Sequence, residues 1–94
     1  MTLTLTEPLR CYQCSGALGR NANCESLRHI RPRECGPNEV CARYVLKKPR
    51  VEVVFRKCAP ENICDLVSRD FQYNRAVSVK ECSVCDQDEC NSTN

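Results

Sequence analysis

The clearest alternation of apolar and polar positions lies in "EVCARYVLKKPRVEVVFRKCA", residues 39–59. Two runs rich in Val, Leu, Tyr and Phe flank "KKPR", and their composition and period-two pattern predict two strands. Pro49 fixes φ and removes a backbone donor, so the polar tetrapeptide reads as the turn between them. With Leu46 opposite Val51, Tyr44 falls opposite Val53 and Ala42 opposite Phe55, which makes one face apolar. The other face carries Val45 opposite Glu52, Arg43 opposite Val54 and Cys41 opposite Arg56. A slip of one residue would break up the apolar face, so the hairpin is predicted in this register.

The pattern is weaker elsewhere. In "CYQCSGALGRNANC", residues 11–24, Tyr12 is the one bulky side chain, and Gly16, Gly19 and Asn21 predict a loop. The following "ESLRHIRPRE" is basic through Arg28, Arg31 and Arg33, and Pro32 argues against a central strand. It reads as a connection with a short helical turn around Ser26 to His29. Between Cys64 and Cys82, "AVSVKEC" alternates as a strand and "DFQY" sets Phe71 and Tyr73 on one side, with Asn74 suited to a turn. No helix longer than a turn or two is predicted, and there is no internal repeat or low-complexity tract.

Composition changes the picture. The chain has 94 residues and ten cysteines, but no Trp, one Met, two Phe and three Tyr. So few large apolar side chains cannot offset the entropy of ordering the chain, and that cysteine density marks a disulfide scaffold. Disulfides persist in oxidising compartments, so the protein is expected to be extracellular. The opening "MTLTLTEPLR" lacks the apolar run of a secretory leader, so the export signal is expected to lie outside this sequence. No stretch approaches the roughly eighteen apolar residues of a spanning helix. No hydrophobic tail precedes Asn94, which leaves anchored and secreted forms both open.

The cysteines admit three chemistries. The C-x-x-C pairs Cys11/Cys14 and Cys82/Cys85 are too far apart for a zinc ribbon, whose pairs are separated by about 15–20 residues. The single histidine, His29, has no ligand-spaced partner. A thioredoxin-like site needs a strand before and a helix after its C-x-x-C, whereas "CYQCSGALG" runs into small residues. The even count with irregular spacing therefore favours five disulfides, and about nine hundred pairings are arithmetically open.

"LRCYQC", "EVCARYV" and "ECSVCDQDECN" resemble the Ly6/uPAR family, which has an L-x-C-x-x-C entry, ten cysteines and a terminal C-N dipeptide. The resemblance spans residues 9–91 and implies an all-β, small, disulfide-rich three-finger (snake-toxin-like) fold. It implies the pairs Cys11–Cys41, Cys14–Cys24, Cys35–Cys58, Cys64–Cys82 and Cys85–Cys90, gathered mostly at one end beneath two-stranded fingers. Finger I is then residues 11–24, finger II residues 39–59 and finger III residues 64–82. Ser83 and Val84 separate two cysteines that most vertebrate members place side by side, a spacing similar to that of divergent invertebrate members. The expected layout is a flexible leader or cloning remnant over 1–8, one domain over 9–91, and a C-terminal end over 92–94 that stops before any anchor signal. Asn91 is expected to bond to backbone within the disulfide base. Asn91-Ser92-Thr93 also fits a glycosylation sequon, but a buried asparagine cannot carry a glycan, so the structural role is preferred.

Chemistry of catalysis is missing from the motifs. No serine or cysteine nucleophile has a histidine base in a recognisable arrangement, and no phosphate-binding glycine loop is present. Asp86, Asp88 and Glu89 lack the alternation, central glycine and closing glutamate of a calcium loop. The expectation is a non-enzyme without cofactor or metal. Recognition remains. Arg43, Lys47, Lys48, Arg50, Arg56 and Lys57 surround the single acid Glu52 on finger II. They either guard a protruding hairpin against strand pairing or steer it toward an acidic extracellular or membrane protein, or anionic headgroups. Nucleic acid is not expected, because no aromatics interleave with the cations. Phe71 and Tyr73 are further contact candidates, or else core. The resemblance implies a module that binds and modulates a receptor, channel or junction component, held at the membrane through a lipid anchor or secreted. The alternatives are a TGF-β/BMP-family receptor ectodomain, which usually lacks the C-x-x-C entry, and a secreted toxin-like ligand.

Overall fold

The computed structural model describes residues 8–20 and 22–93. Apart from Pro8, the leader expected over 1–8 lies outside the described residues, as do Asn21 and Asn94. Two long strands, β4 (Glu39–Lys48) and β5 (Val51–Pro60), form the predicted hairpin. Before them come β1 (Arg10–Cys11), β2 (Cys14–Ala17), a four-residue helix α1 (Asn23–Ser26) and β3 (Arg33–Glu34). After them come helix α2 (Ile63–Phe71), β6 (Ser78–Cys85) and a 3₁₀ turn over Cys90–Ser92. The main sheet is antiparallel in the order β2-β5-β4-β6, with a separate β1–β3 pair. The whole measures 56 × 30 × 15 Å, a flat slab.

The hairpin register corrects the sequence reading by two residues. Leu46 faces Val53, Tyr44 faces Phe55, Val45 faces Val54, Arg43 faces Arg56 and Cys41 faces Cys58. The turn is the pair Pro49–Arg50, and neither residue has positive φ, so it is not one of the primed turns usual in two-residue hairpins. A shift of two keeps every side chain on its face, so the apolar pattern could not exclude it. The shorter turn adds the pairs Lys47–Glu52 and Lys48–Val51 to the ladder. It also stacks Tyr44 on Phe55 at 4.9 Å between ring centroids.

Finger III is the second correction. "ICDLVSRDF" is a nine-residue helix rather than part of a strand pair. Ile63, Leu66 and Val67 recur at helical spacing, with Phe71 one turn on, which is the signal that reading the segment as a finger passed over. Asp65 in the first turn and Arg69 in the last suit the helix dipole. Ile63 and Val67 are buried with Ala42, Tyr44, Leu46 and Ala59, and Phe71, Val79 and Cys82 pack around them. The fold is thus mostly β, with one helix covering one face of the sheet. Phe71→Ala is expected to lower stability by roughly 1–3 kcal/mol, less than for a fully buried ring. Thermal melting checks this, and a shift below about 2 °C would remove Phe71 from the core.

Finger I is the third. It does not stand out as a hairpin, because Cys14–Ala17 joins the main sheet beside β5. Gly16 makes this possible: a Cβ there would lie 2.7 Å from the Ala22 Cβ, so only glycine lets α1 close over β2. The helical turn sits at Asn23–Ser26, just before the expected position, and ends on Leu27 in the left-handed region. Cys24, Val45 and Val54 form the small core on this face.

Five disulfides join Cys11–Cys41, Cys14–Cys24, Cys35–Cys58, Cys64–Cys82 and Cys85–Cys90, with Cα separations from 5.3 to 6.1 Å. Cys41 lies opposite both Cys58 and Cys85, which gathers three bridges at one end of the sheet. The sulfurs of Cys11, Cys35 and Cys58 are mutually within 4.8 Å, as are those of Cys41, Cys85 and Cys90. Each is already bonded within a bridge, so these are disulfides packed side by side, with no thiolate left to ligate a metal.

Candidate functional surface at the finger tips

The two strands of finger II carry Lys47, Lys48, Pro49 and Arg50 out to the end opposite the disulfides, where all four are exposed. Finger I is latched alongside. The Leu18 amide donates to the Glu52 carbonyl at 2.8 Å, and the Gly19 amide donates to the Glu25 carboxylate at 2.9 Å. Gly19 takes φ of 76°, a left-handed turn conformation that glycine adopts without strain. An open cleft of about 470 Å³ results, lined by Arg20 from finger I and by Lys47, Lys48, Arg50 and Glu52 from finger II. Lys80 reaches across β4 to Glu52, at 2.9 and 3.1 Å. That hydrogen bond, followed by the charge of Glu52, holds the Lys80 ammonium above its ordinary pKa.

Finger III ends at the same place, because Ser78 pairs with Lys47. Its loop is ordered by Asn74, whose Oδ1 accepts from the Ala76 and Val77 amides at 2.8 and 2.9 Å. Tyr73 on this loop is 90% exposed, and Arg75 is exposed beside it. The finger ends therefore present Arg20, Lys47, Lys48, Arg50, Arg75 and Lys80 against Glu52 and Glu25. Since the whole chain carries only +2, the remainder of the molecule is net negative.

The basic cluster read from the sequence divides in three dimensions. Lys47, Lys48 and Arg50 are at the tip, but Arg43 is 8% exposed and Arg56 is 1% exposed. Arg43 is 3.8 Å from Glu81, and its Nε has no partner among the described residues. It is not a contact residue at the surface, a correction that strand parity explains: Arg43 and Arg56 share the face of Val45 and Val54. Lys57 is half-buried. Phe71 belongs to the core cluster, whereas Tyr73 faces solvent, so the two aromatics have different surroundings. Arg20, Arg75 and Lys80 escaped the sequence reading, since nothing in it brings three distant segments to one end.

At the opposite end Arg56 and Asn91 tie the termini to the sheet. The Arg56 guanidinium donates to the carbonyls of Cys24 at 2.9 Å, Asn91 at 2.8 Å, Thr93 at 2.6 Å and Glu25 at 3.3 Å. Burial, and then the neighbouring Arg43, lower its pKa. Asn91 is 2% exposed; its amide nitrogen donates to the carbonyls of Tyr12 and Ala42, and its Oδ1 accepts from the Tyr12 amide. A nitrogen so engaged has no room for a glycan in the folded state.

Tyr12 donates its hydroxyl to Glu89 at 3.2 Å, and Tyr44 is buried in the core. Burial is the main cause raising both phenols above 10.0, with Glu89 adding to Tyr12 and Asp70 to Tyr44. The neutral phenol is thus favoured in the folded state. Stability from these groups is whole below pH 10.0 and falls as pH rises through the raised folded values. Melting temperature should therefore drop above about pH 10, and Tyr12→Phe should make that drop shallower. A flat profile between roughly pH 9 and 11 would contradict this.

The family model described as the Quiver family u-PAR/Ly-6-like domain matches residues 9–91. No curated protein and no solved structure matches the chain. Domains of the u-PAR/Ly-6 kind are non-enzymatic binding modules, generally extracellular or at the cell surface, and no helix among the described residues is long and apolar enough to cross a membrane. With a mostly β fold, five disulfides and a match over nearly its whole length, the chain belongs to the Quiver family of u-PAR/Ly-6-like domains.

Proposed function

We propose that this domain captures a cell-surface or secreted protein with an acidic surface, such as a receptor, ion channel or junction component, and modulates it through its finger tips. The domain acts either lipid-anchored at the cell surface or secreted. The observation that carries the reading is the concentration of six cations against two acids, Glu52 and Glu25, at the finger ends, on a chain of net charge +2. Such a local field accelerates encounter with an acidic partner and costs the fold little, because the tips are not part of the disulfide base. Tyr73 supplies what charge cannot, an aromatic anchor held ready on an ordered loop.

The test is binding of the tagged, oxidised domain to cultured cells, followed by cross-linking and mass spectrometry of what is joined to it. Saturable binding that is lost after surface proteolysis, with cross-links at the finger tips, is expected. Binding that survives proteolysis, or cross-links confined to the disulfide end, would overturn the reading.

A further inference from the structure

We infer that the cleft between fingers I and II is a binding site for a sulfated polysaccharide chain. The inference rests on the reading of the finger II tip as a contact surface, and it adds finger I to that surface. Four cations, Arg20, Lys47, Lys48 and Arg50, line the cleft, and none has an ion pair among the described residues. Neither nearby acid is free to oppose an anion: the Glu25 carboxylate accepts from the Gly19 amide at 2.9 Å, and Glu52 is engaged twice. Its carboxylate is held by Lys80 at 2.9 and 3.1 Å, and its backbone carbonyl by the Leu18 amide. The cations come from two chain segments held together by that backbone hydrogen bond, so the charge lies along an opening rather than on one protruding point.

The lining decides among polyanions. A protein partner or a bilayer would need a large exposed apolar anchor in the cleft, whereas Leu18 and Val51 are half-buried there and the one exposed apolar side chain in the lining is the small ring of Pro49. The exposed aromatic, Tyr73, is on the finger III side, beyond β4, whereas the cleft is on the β2–β5 side. No aromatic ring lines the cleft to stack a base. What fits is a flexible linear chain carrying closely spaced sulfates, which needs only cations along a groove, with arginine offering bidentate pairing. The tip cations then act in both events: their field steers an acidic protein toward the Tyr73 side, and the cleft they line holds a glycan that keeps the domain near the cell surface.

Heparin is the probe. The oxidised domain should bind heparin in low salt, and log affinity should fall linearly with log salt, by about 0.7–0.9 for each cation engaged, as for nucleic-acid polyanions. Arg20→Glu should weaken binding by about tenfold at low salt and flatten the slope by about one or more, although it leaves the finger II tip intact. The double variant Arg31→Glu/Arg33→Glu alters an exposed basic patch away from the cleft and changes charge by more, so it should change binding by less than about twofold if the site is specific. Unchanged melting temperature and fully oxidised mass verify the fold of each variant. No heparin binding would overturn the inference, as would equal loss in the Arg31/Arg33 control. Tighter binding to polyglutamate would assign the cleft to acidic protein segments, and tighter binding to phosphatidylserine vesicles would assign it to membrane; either overturns the glycan reading. On cells, heparinase removes the glycan and leaves surface proteins, whereas protease removes both; binding lost to heparinase reports on this site, and binding that survives heparinase but is lost to protease reports on protein capture, so each can fail without the other.

Discussion

Arg56→Ala is expected to be the most damaging single substitution in this domain outside the cysteines. The side chain is almost wholly buried and donates to four backbone carbonyls, belonging to Cys24, Glu25, Asn91 and Thr93. Removing it strands those carbonyls and leaves a cavity where α1 and the C-terminal turn meet β5. Two effects oppose each other. Burial of the charge and its closeness to Arg43 are unfavourable, as the lowered pKa reflects, so truncation relieves some strain in the electrostatics. Yet each hydrogen bond to a charged group is worth about 1.5–3 kcal/mol, and several are lost together. The net cost should be about 3 kcal/mol or more, a fall in melting temperature of roughly 12–24 °C for a domain of this size. Arg56→Lys retains the charge but not the planar fork, and should recover only part of the loss. Thermal melting of the oxidised proteins decides the matter, and an Arg56→Ala variant melting within about 4 °C of wild type would refute the clasp.

The second large effect concerns binding rather than stability. Lys47→Glu/Lys48→Glu/Arg50→Glu should fold and melt almost as wild type does, because all three positions are exposed at a turn. Association with the cell-surface partner should nevertheless slow at least tenfold at low salt, since steering by a local field is worth about 10–10³ in on-rate. The wild-type on-rate should decline as salt rises, and the reversed protein should lose that dependence. Tyr73→Ala offers the complement: an anchor that acts after encounter should raise the off-rate and leave the on-rate nearly unchanged. The steering role is sunk if the reversed tip associates as fast as wild type at low salt.

Arg43 shows why one basic run contains residues with opposite fates. Sequence proximity places Arg43, Lys47, Lys48, Arg50 and Arg56 together, but strand alternation sends Arg43 and Arg56 inward with Val45 and Val54. The period-two pattern held that information. What it did not hold was the covering of that face by α1 and the C-terminal turn, which turns two ordinary strand positions into buried ones. Helix α2 was legible too, in the spacing of Ile63, Leu66 and Val67, once the segment is not assumed to be a strand.

By itself, then, the sequence determined the disulfide-built character of the domain, the strands of the central hairpin and the faces they present, and the exposed cationic turn at Lys47–Arg50. These follow from composition and from local periodicity, which act over a few residues. The tertiary structure alone decided the hairpin register, because a shift of two residues leaves every face unchanged and only the Pro49–Arg50 turn and the Tyr44–Phe55 stack distinguish the alternatives. It alone brought Arg20, Arg75 and Lys80 to the tip of finger II, since that requires β2 to pair with β5 and β6 with β4. Such pairings are set by which elements pack across the whole chain, and a charge distribution made by packing is written in no single stretch of residues.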